Sequence, residues 1–186
     1  MEDTTKRHVV EKEAKALNIV TDISVSTLTK ENVSEVIELI RRNFLTFEEA
    51  GTVLRSTFLR LENLHEIYFE EGARMQIVKL TSTDELIACI GLGPLAGLPP
   101  SERIGEIREF VVDKSYQNMG LGAYLLELCL VQARDLGYRR LYLATTPQMK
   151  HAQKLFMRFG FRPVIDKSIK VQNKQQLPCY YMLEDL

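Results

Sequence analysis

The stretch Val112-Asp113-Lys114-Ser115-Tyr116-Gln117-Asn118-Met119-Gly120-Leu121-Gly122-Ala123 joins a strand candidate to a helix candidate through two glycines. Upstream, Ile104 to Val112 reads as a long strand. Downstream, Leu121 to Leu136 carries Leu125, Leu128, Cys129, Ala133 and Leu136 on one helical face, with Gly137 past its end. Arg140 to Ala144 then reads as a short apolar strand of the buried, parallel kind. The residues from Asp113 to Arg139 suffice for a right-handed β-helix-β crossover, so the strands around it are expected to be parallel. The glycines add a chemical expectation. Glycine lets backbone N–H groups come close to a ligand, and the first turn of a helix holds unpaired donors at its positive end. Together these suit an anion such as a pyrophosphate. A plain tight turn would use the same residues, so the pair alone does not decide. Two other nucleotide motifs are excluded: there is no G-x-x-x-x-G-K-[ST], and the third glycine of a dinucleotide fingerprint would fall at Leu125.

Outward from this segment, Ile23 to Leu28 alternates as a strand, and Thr29 is placed to cap a helix carrying Val33, Val36, Ile37, Ile40 and Phe44. A second helical pattern runs from about Glu48 to Phe69, with Leu54, Phe58, Leu61, Leu64 and Tyr68 on one face and Gly72 after it. Arg74 to Leu80 and Glu85 to Leu92 form a hairpin pattern around Thr81-Ser82-Thr83-Asp84. Pro94 to Arg103 is a loop by its Gly, Pro and Ser content. Thr146 is expected to cap, and Pro147 to open, a last helix with Ala152, Leu155, Phe156 and Phe159 on its face and Gly160 at its end. Phe161 to Ile165 and Cys179 to Glu184 close the chain as strands around a polar loop. The expected fold is α/β: a mixed, mostly antiparallel, twisted sheet with a central parallel pair, flanked by helices. It forms a single domain over residues 21–186, after a charged, solvated extension at 1–20.

Composition narrows the function classes. The chain has 186 residues, 45% apolar and 26% charged, which suits one globular domain. Lys plus Arg number 24 against 25 for Asp plus Glu, a net charge of −1, which argues against a nucleic-acid grip built on a basic field. The apolar stretch Leu86 to Pro100 is broken by Gly91, Gly93, Pro94 and Gly97, so no membrane span is expected. No targeting signal is visible. The three cysteines, Cys89, Cys129 and Cys179, form no C-x-x-C pair and fit a reduced, cytoplasmic setting. His8, His65 and His151 are scattered, and no metal site is expected.

Gln117-Asn118-Met119-Gly120-Leu121-Gly122 resembles the Q/R-x-x-G-x-G/A signature of the GNAT N-acetyltransferase superfamily. Phe110-Val111-Val112-Asp113 precedes it at the family's spacing, with Glu106 further upstream. Gly137-Tyr138-Arg139-Arg140-Leu141-Tyr142-Leu143 and Ala152-Gln153-Lys154-Leu155-Phe156-Met157-Arg158-Phe159-Gly160-Phe161 are similar to two further family motifs. The close resemblance covers residues 104 to 164. It implies splayed parallel strands, acetyl-CoA as acyl donor and transfer to an amine. It also implies that backbone groups of Phe110, Val111 and Val112 hold the pantetheine arm, with Gln117, Asn118, Met119, Gly120, Leu121, Gly122 and Ala123 around the pyrophosphate and Phe156 beside the cofactor. A backbone N–H near Val112 would face the thioester oxygen. The chain departs from the family pattern at Met119 (commonly Arg), Met149 (often Asn) and Phe156 (often Tyr, a proton donor to the departing thiolate). A thiol of pKa about 8.5 can leave without that donor.

An amine near pKa 10.4 is mostly protonated at neutral pH, so a base is expected beside the thioester. Glu106 matches the position where histone-type members of the family carry a catalytic glutamate. Glu109 is the second candidate, and a water relay is the third. On an ideal strand Glu106 and Glu109 face opposite ways, and a bulge between them would alter this. Either could instead be a surface carboxylate paired with Arg103 or Arg108. Cys129, on an apolar face, is expected to be a core thiol, so direct attack in a ternary complex is favoured over an acyl-enzyme. A non-catalytic acyl-CoA sensor or interaction module is the alternative that Phe156 and Met149 keep open. The acceptor, a small molecule or a protein amino group, would be shaped by Asn43–Leu54, Pro94–Arg103 and Ile165–Pro178. A homodimer is left open.

Overall fold

Alternating apolar residues build one sheet, and helices with apolar stripes cover both its faces. The computed structural model describes residues 22–44, 60–69, 72–164 and 179–186. Its elements are β1 (Ile23–Thr27), α1 (Val33–Phe44), α2 (Leu64–Tyr68), β2 (Arg74–Leu80), β3 (Leu86–Pro94), β4 (Ile104–Val112), α3 (Leu121–Asp135), β5 (Arg140–Thr145), α4 (Lys150–Arg158), β6 (Arg162–Val164) and β7 (Cys179–Leu183). The strand order is β1-β2-β3-β4-β5-β7-β6. Every neighbouring pair is antiparallel except β4 and β5, the pair joined through α3. The crossover length dictates that pairing, since a hairpin cannot return a strand in the same direction.

One face of the sheet packs on α3 and α4 through Ile90, Leu92, Ile107, Leu125, Leu126, Leu141 and Phe156. The other packs on α1 and α2 through Met75, Ile77, Cys89, Val111, Val36, Leu39, Ile40 and Leu64. β3 lies where both layers meet, and Leu86 through Gly93 are all buried. That explains why its sequence is apolar throughout rather than alternating.

Two helix starts differ from expectation. Thr29 does precede the first helix, but its hydroxyl donates to Asn32 Oδ1 at 2.9 Å instead of capping a backbone N–H, and a 3-10 turn over Lys30–Asn32 leads into α1. The last helix opens at Lys150 rather than at Pro147. The Met149 N–H closes a turn on the Thr146 carbonyl at 3.1 Å, and the Gln153 side chain bonds the same carbonyl at 2.8 Å. Thr146 therefore ends a turn that precedes the helix. Of the long second helix, Leu61, Leu64 and Tyr68 are buried as expected. Leu54 and Phe58, the extension at 1–20 and the polar loop at 165–178 lie outside the described residues. Among the described residues no helix is long and apolar enough to cross a membrane.

Gly91 is required by contact. A Cβ on it would lie 1.9 Å from the Tyr68 hydroxyl oxygen, and Tyr68 is itself buried and bonded to Glu109. Gly91→Ala is expected to cost about 1–3 kcal/mol by overpacking. Thermal melts should show a fall of several degrees, at roughly 2–4 °C per kcal/mol for a domain of this size. An unchanged melting temperature would contradict this packing.

Candidate active site

β4 pairs with β5 only from Ile104 to Ile107, opposite Arg140 to Leu143. Beyond that point β4 stays on β3 as far as Val112, while β5 follows β7 as far as Thr145. The two parallel strands thus part into a V-shaped cleft with its apex at Ile107 and Leu143. A bulge accompanies the parting. Val111 lies opposite Cys89 and Arg108 opposite Gly91, so β4 spends one residue more than β3 over this interval. Glu109 sits within it at φ 40°, in the left-handed region that side chains other than glycine seldom occupy.

The extra residue reverses the side-chain alternation. Ile107 packs on the α3 side, and after the bulge Phe110 and Val112 do so, while Val111 joins the α1–α2 side. Glu106 and Glu109 therefore face the same way, contrary to the ideal-strand expectation. Glu106 accepts a bond from Arg108 Nε at 2.7 Å, and its side chain is 18% exposed. Arg108 also donates to the Pro94 carbonyl. The Glu109 side chain has no exposure, and Arg60 Nε donates to its Oε1 at 2.6 Å. The Tyr68 hydroxyl donates to its Oε2, and the Cys89 thiol donates to its carbonyl at 3.3 Å. Burial, then the Glu109 charge, pushes the Tyr68 phenol well above its ordinary value. Burial would lower the Arg60 value, but Glu109, with smaller shares from Glu106 and Tyr68, more than offsets it. Arg60, Tyr68 and Cys89 were not singled out for function from the sequence. A signal existed: Arg60, Leu64 and Tyr68 follow at intervals of four, so a charge stands on a core stripe.

At the mouth of the cleft, β4 runs into the glycine loop. Gly120 is left-handed at φ 86° and forms the N-cap of α3. The first backbone bond of that helix is Tyr124 N–H to Gly120 C=O at 3.1 Å. The N–H groups of Leu121, Gly122 and Ala123 precede it and point out of the helix end. A Cβ on Gly122 would meet Leu155, Phe110 and Val112 at 3.6–4.0 Å. Leu155, Phe110 and Val112 thus line one mouth with the first turn of α3. Asn118 supports the turn at φ 61°. Gln117 Nε2 donates to the Val112 carbonyl at 2.9 Å, strapping the loop to the strand. Met119 is half-buried. Phe156 is buried, with ring centroids 6.1 Å from Phe110, 6.0 Å from Phe161 and 6.2 Å from Tyr181. Cys129 is a core thiol, pushed up to about 12 by burial. No cluster of metal-ligating side chains occurs among the described residues. Such a cleft can take an extended polar chain along the open edge of β4 and an anion at the α3 terminus.

Asp113 holds the start of the loop. Its Oδ1 accepts from Ser115 N–H at 3.0 Å, and its Oδ2 from Arg42 Nε at 2.8 Å and Asn43 Nδ2 at 3.4 Å. Burial would raise its pKa, but Ser115, Asn43 and Arg42 together hold it below the ordinary carboxylate value. Its contribution to stability is therefore complete above the unfolded value of about 3.9 and is lost as the pH falls through the folded value. Asp113→Ala is expected to cost about 1.5–3 kcal/mol at neutral pH. Denaturant melts should show the gap from wild type closing in acid below about pH 4. No loss at neutral pH, or a gap undiminished in acid, would contradict this role.

Comparison with known proteins points the same way. The acetyltransferase (GNAT) family profile matches residues 35–161. The chain is 28% identical over 133 residues to the uncharacterized N-acetyltransferase YjgM of Escherichia coli strain K12, covering 71% of this chain and 75% of YjgM. It is 31% identical over 150 residues to an amino-acid acetyltransferase of Enterobacter sp. strain 638, covering 79% of this chain but only 28% of that enzyme's length. An acetyltransferase of the GNAT family from Staphylococcus aureus Mu50 superposes with a TM-score of 0.69 at 21% identity, over 87% of this chain and 98% of the other, a likeness of fold. With a family profile spanning the glycine loop, the parted parallel strands and both helices beside them, the chain belongs to the GNAT family of acetyltransferases.

Proposed function

We propose that the chain is an acetyl-CoA-dependent N-acetyltransferase that moves the acetyl group to a primary amine by direct attack in a ternary complex. The observation that carries this reading is the open β5-side edge of β4 beyond Ile107, leading into the glycine loop. Phe110, Val111 and Val112 would hold the pantetheine arm as an added strand. Backbone N–H groups from Asn118 to Ala123 would receive the pyrophosphate at the start of α3. Gln117 acts indirectly, by holding the loop on Val112. Phe156 contributes an apolar wall rather than a proton.

The thioester would then lie at the apex, by the bulge. The α3–α4 side of the sheet is filled there by Ile107 and Leu143, so the amine would arrive on the side of Glu106. The amine nitrogen attacks the thioester carbonyl, and a backbone N–H of β4 just past the bulge, in Phe110–Val112, stabilises the developing oxyanion. Glu106 takes the proton from nitrogen, directly or through water. Collapse of the tetrahedral intermediate breaks the carbon–sulfur bond and releases the thiolate, which takes a proton from solvent. Glu106 suits the base better than Glu109, because both Glu109 oxygens are engaged and buried. The name of the Enterobacter relative puts free amino acids among the first acceptors to assay. The free cysteines of this chain, Cys89, Cys129 and Cys179, suit a cytoplasmic enzyme.

Amine-dependent thiol release from acetyl-CoA is the expected result across a panel of amines, amino acids and peptides. Glu106→Gln should lower the rate at neutral pH by about 10²-fold or more, with acetyl-CoA affinity nearly unchanged. The deficit should shrink in alkaline buffer, where more of the amine is free. Gly120→Glu should weaken acetyl-CoA binding by about tenfold or more, since it strains the loop and sets a carboxylate toward the phosphates. Absence of thiol release with every amine, or normal binding by a folded Gly120→Glu, would contradict the assignment.

A further inference from the structure

We infer that Arg60 and Tyr68 are positioning residues for acyl transfer, acting through Glu109 to hold the β4 bulge where the two parallel strands part. The inference rests on the acetyltransferase reading of the cleft and extends it to residues that touch neither substrate.

A left-handed backbone at a residue other than glycine persists only where its surroundings over-determine it. At Glu109 they do so through three independent attachments. Arg60, ahead of α2, holds one carboxylate oxygen at 2.6 Å. Tyr68, at the end of α2, holds the other. Cys89 of β3 holds the main-chain carbonyl at 3.3 Å. β3 is shaped for this arrangement too, because only the missing Cβ of Gly91 leaves space for the Tyr68 hydroxyl. A bulge by itself needs none of this, since glycine or asparagine takes a positive φ at less cost. An ionised carboxylate placed in the interior instead demands a cation and donors. Glutamate at 109 thus turns the local backbone of the catalytic strand into a feature governed by α2 and the segment ahead of it, 41–49 residues away in sequence.

The consequence is geometric. The next residues, Phe110 to Val112, are those whose backbone would line the donor arm and face the thioester. A small rotation at Glu109 would move those groups relative to the apex, and misplacement by an ångström can cost about 100-fold in rate. Arg60 also lies in the field of Glu106, so the clamp and the base share one charged cluster. Loosening the clamp should therefore show in turnover rather than in substrate affinity.

The test compares Tyr68→Phe, Arg60→Gln and Arg60→Lys with wild type, alone and in a Glu109→Gly background. Acetyl-CoA affinity is read by calorimetry, folding by circular dichroism, and kcat and KM by thiol release with the best amine of the panel. The expected result for Tyr68→Phe and Arg60→Gln is a folded protein with near-normal acetyl-CoA affinity and KM. Its kcat should be lower by about 10- to 100-fold. Arg60→Lys, which keeps the charge, should recover much of the loss. In Glu109→Gly, where the backbone adopts the bulge without a clamp, Tyr68→Phe should change kcat less than about twofold. Wild-type kcat in folded Tyr68→Phe and Arg60→Gln would overturn the inference. So would kcat losses that only track loss of folded protein, or an equal loss in the glycine background. Complete inactivity of Glu109→Gly would also overturn it, by making the carboxylate itself a reacting group. A wild-type chain that binds no acetyl-CoA and releases no thiol would overturn the acetyltransferase reading first, and is thereby distinct from failure of the clamp.

Discussion

Beyond Ile107 the central strand has a partner on its β3 side and, among the described residues, no strand on its β5 side. Backbone N–H and C=O groups cannot be left buried without partners, and an edge of this kind suits an extended ligand. The bulge at Glu109 adds twist at the same place and lets β5 follow β7 instead. The cleft, its mouth at the glycine loop and the common face of Glu106 and Glu109 all follow from that parting.

The two faces of the sheet then take different chemistry. The α3–α4 face near the apex is apolar, with Ile107, Leu143, Leu125 and Phe156 in one cluster. The opposite face carries Arg60, Glu106, Arg108 and Glu109 as paired charges beside Tyr68. An apolar wall suits the acyl donor's arm, and a polar face suits an amine that must lose a proton. Arg42, Asn43, Asp113 and Gln117 lie further along and tie the loop to α1 and to the end of β4. The glycine turn is thereby held by bonds within the chain itself, which would lower the ordering cost of binding a ligand there.

Much of this architecture was legible in the residues. The residues themselves mark the bounds Ile104–Val112, and the length between Asp113 and Arg139 requires the parallel pair that β4 and β5 form. Gly120 sits at φ 86°, a conformation that a glycine between strand and helix supplies without a Cβ penalty. The start of α4 was missed because Thr146-Pro147 has the chemistry of a helix opening, whereas the chain first closes a turn from Thr146 to Met149. The side to which Glu109 turns is not decided by the residues of β4 alone, for a deeper reason. Alternation along β4 contains no record of the bulge, which is defined by how Cys89 and Gly91 of another strand register against it. For the same reason Arg60 and Tyr68 became visible as partners of Glu109 only when three elements were brought together.

Amide hydrogen exchange of the wild-type chain, with and without saturating acetyl-CoA, tests the central claim most directly. If the open edge of β4 and the first turn of α3 receive the donor, the amides of Phe110–Val112 and of Met119–Ala123 should become protected. Those of β1 and β2, on the far side of the sheet, should keep their rates. Unchanged exchange in both segments under conditions where acetyl-CoA binds, or protection confined to the groove between Pro94–Arg103 and Leu136–Tyr138, would contradict the account.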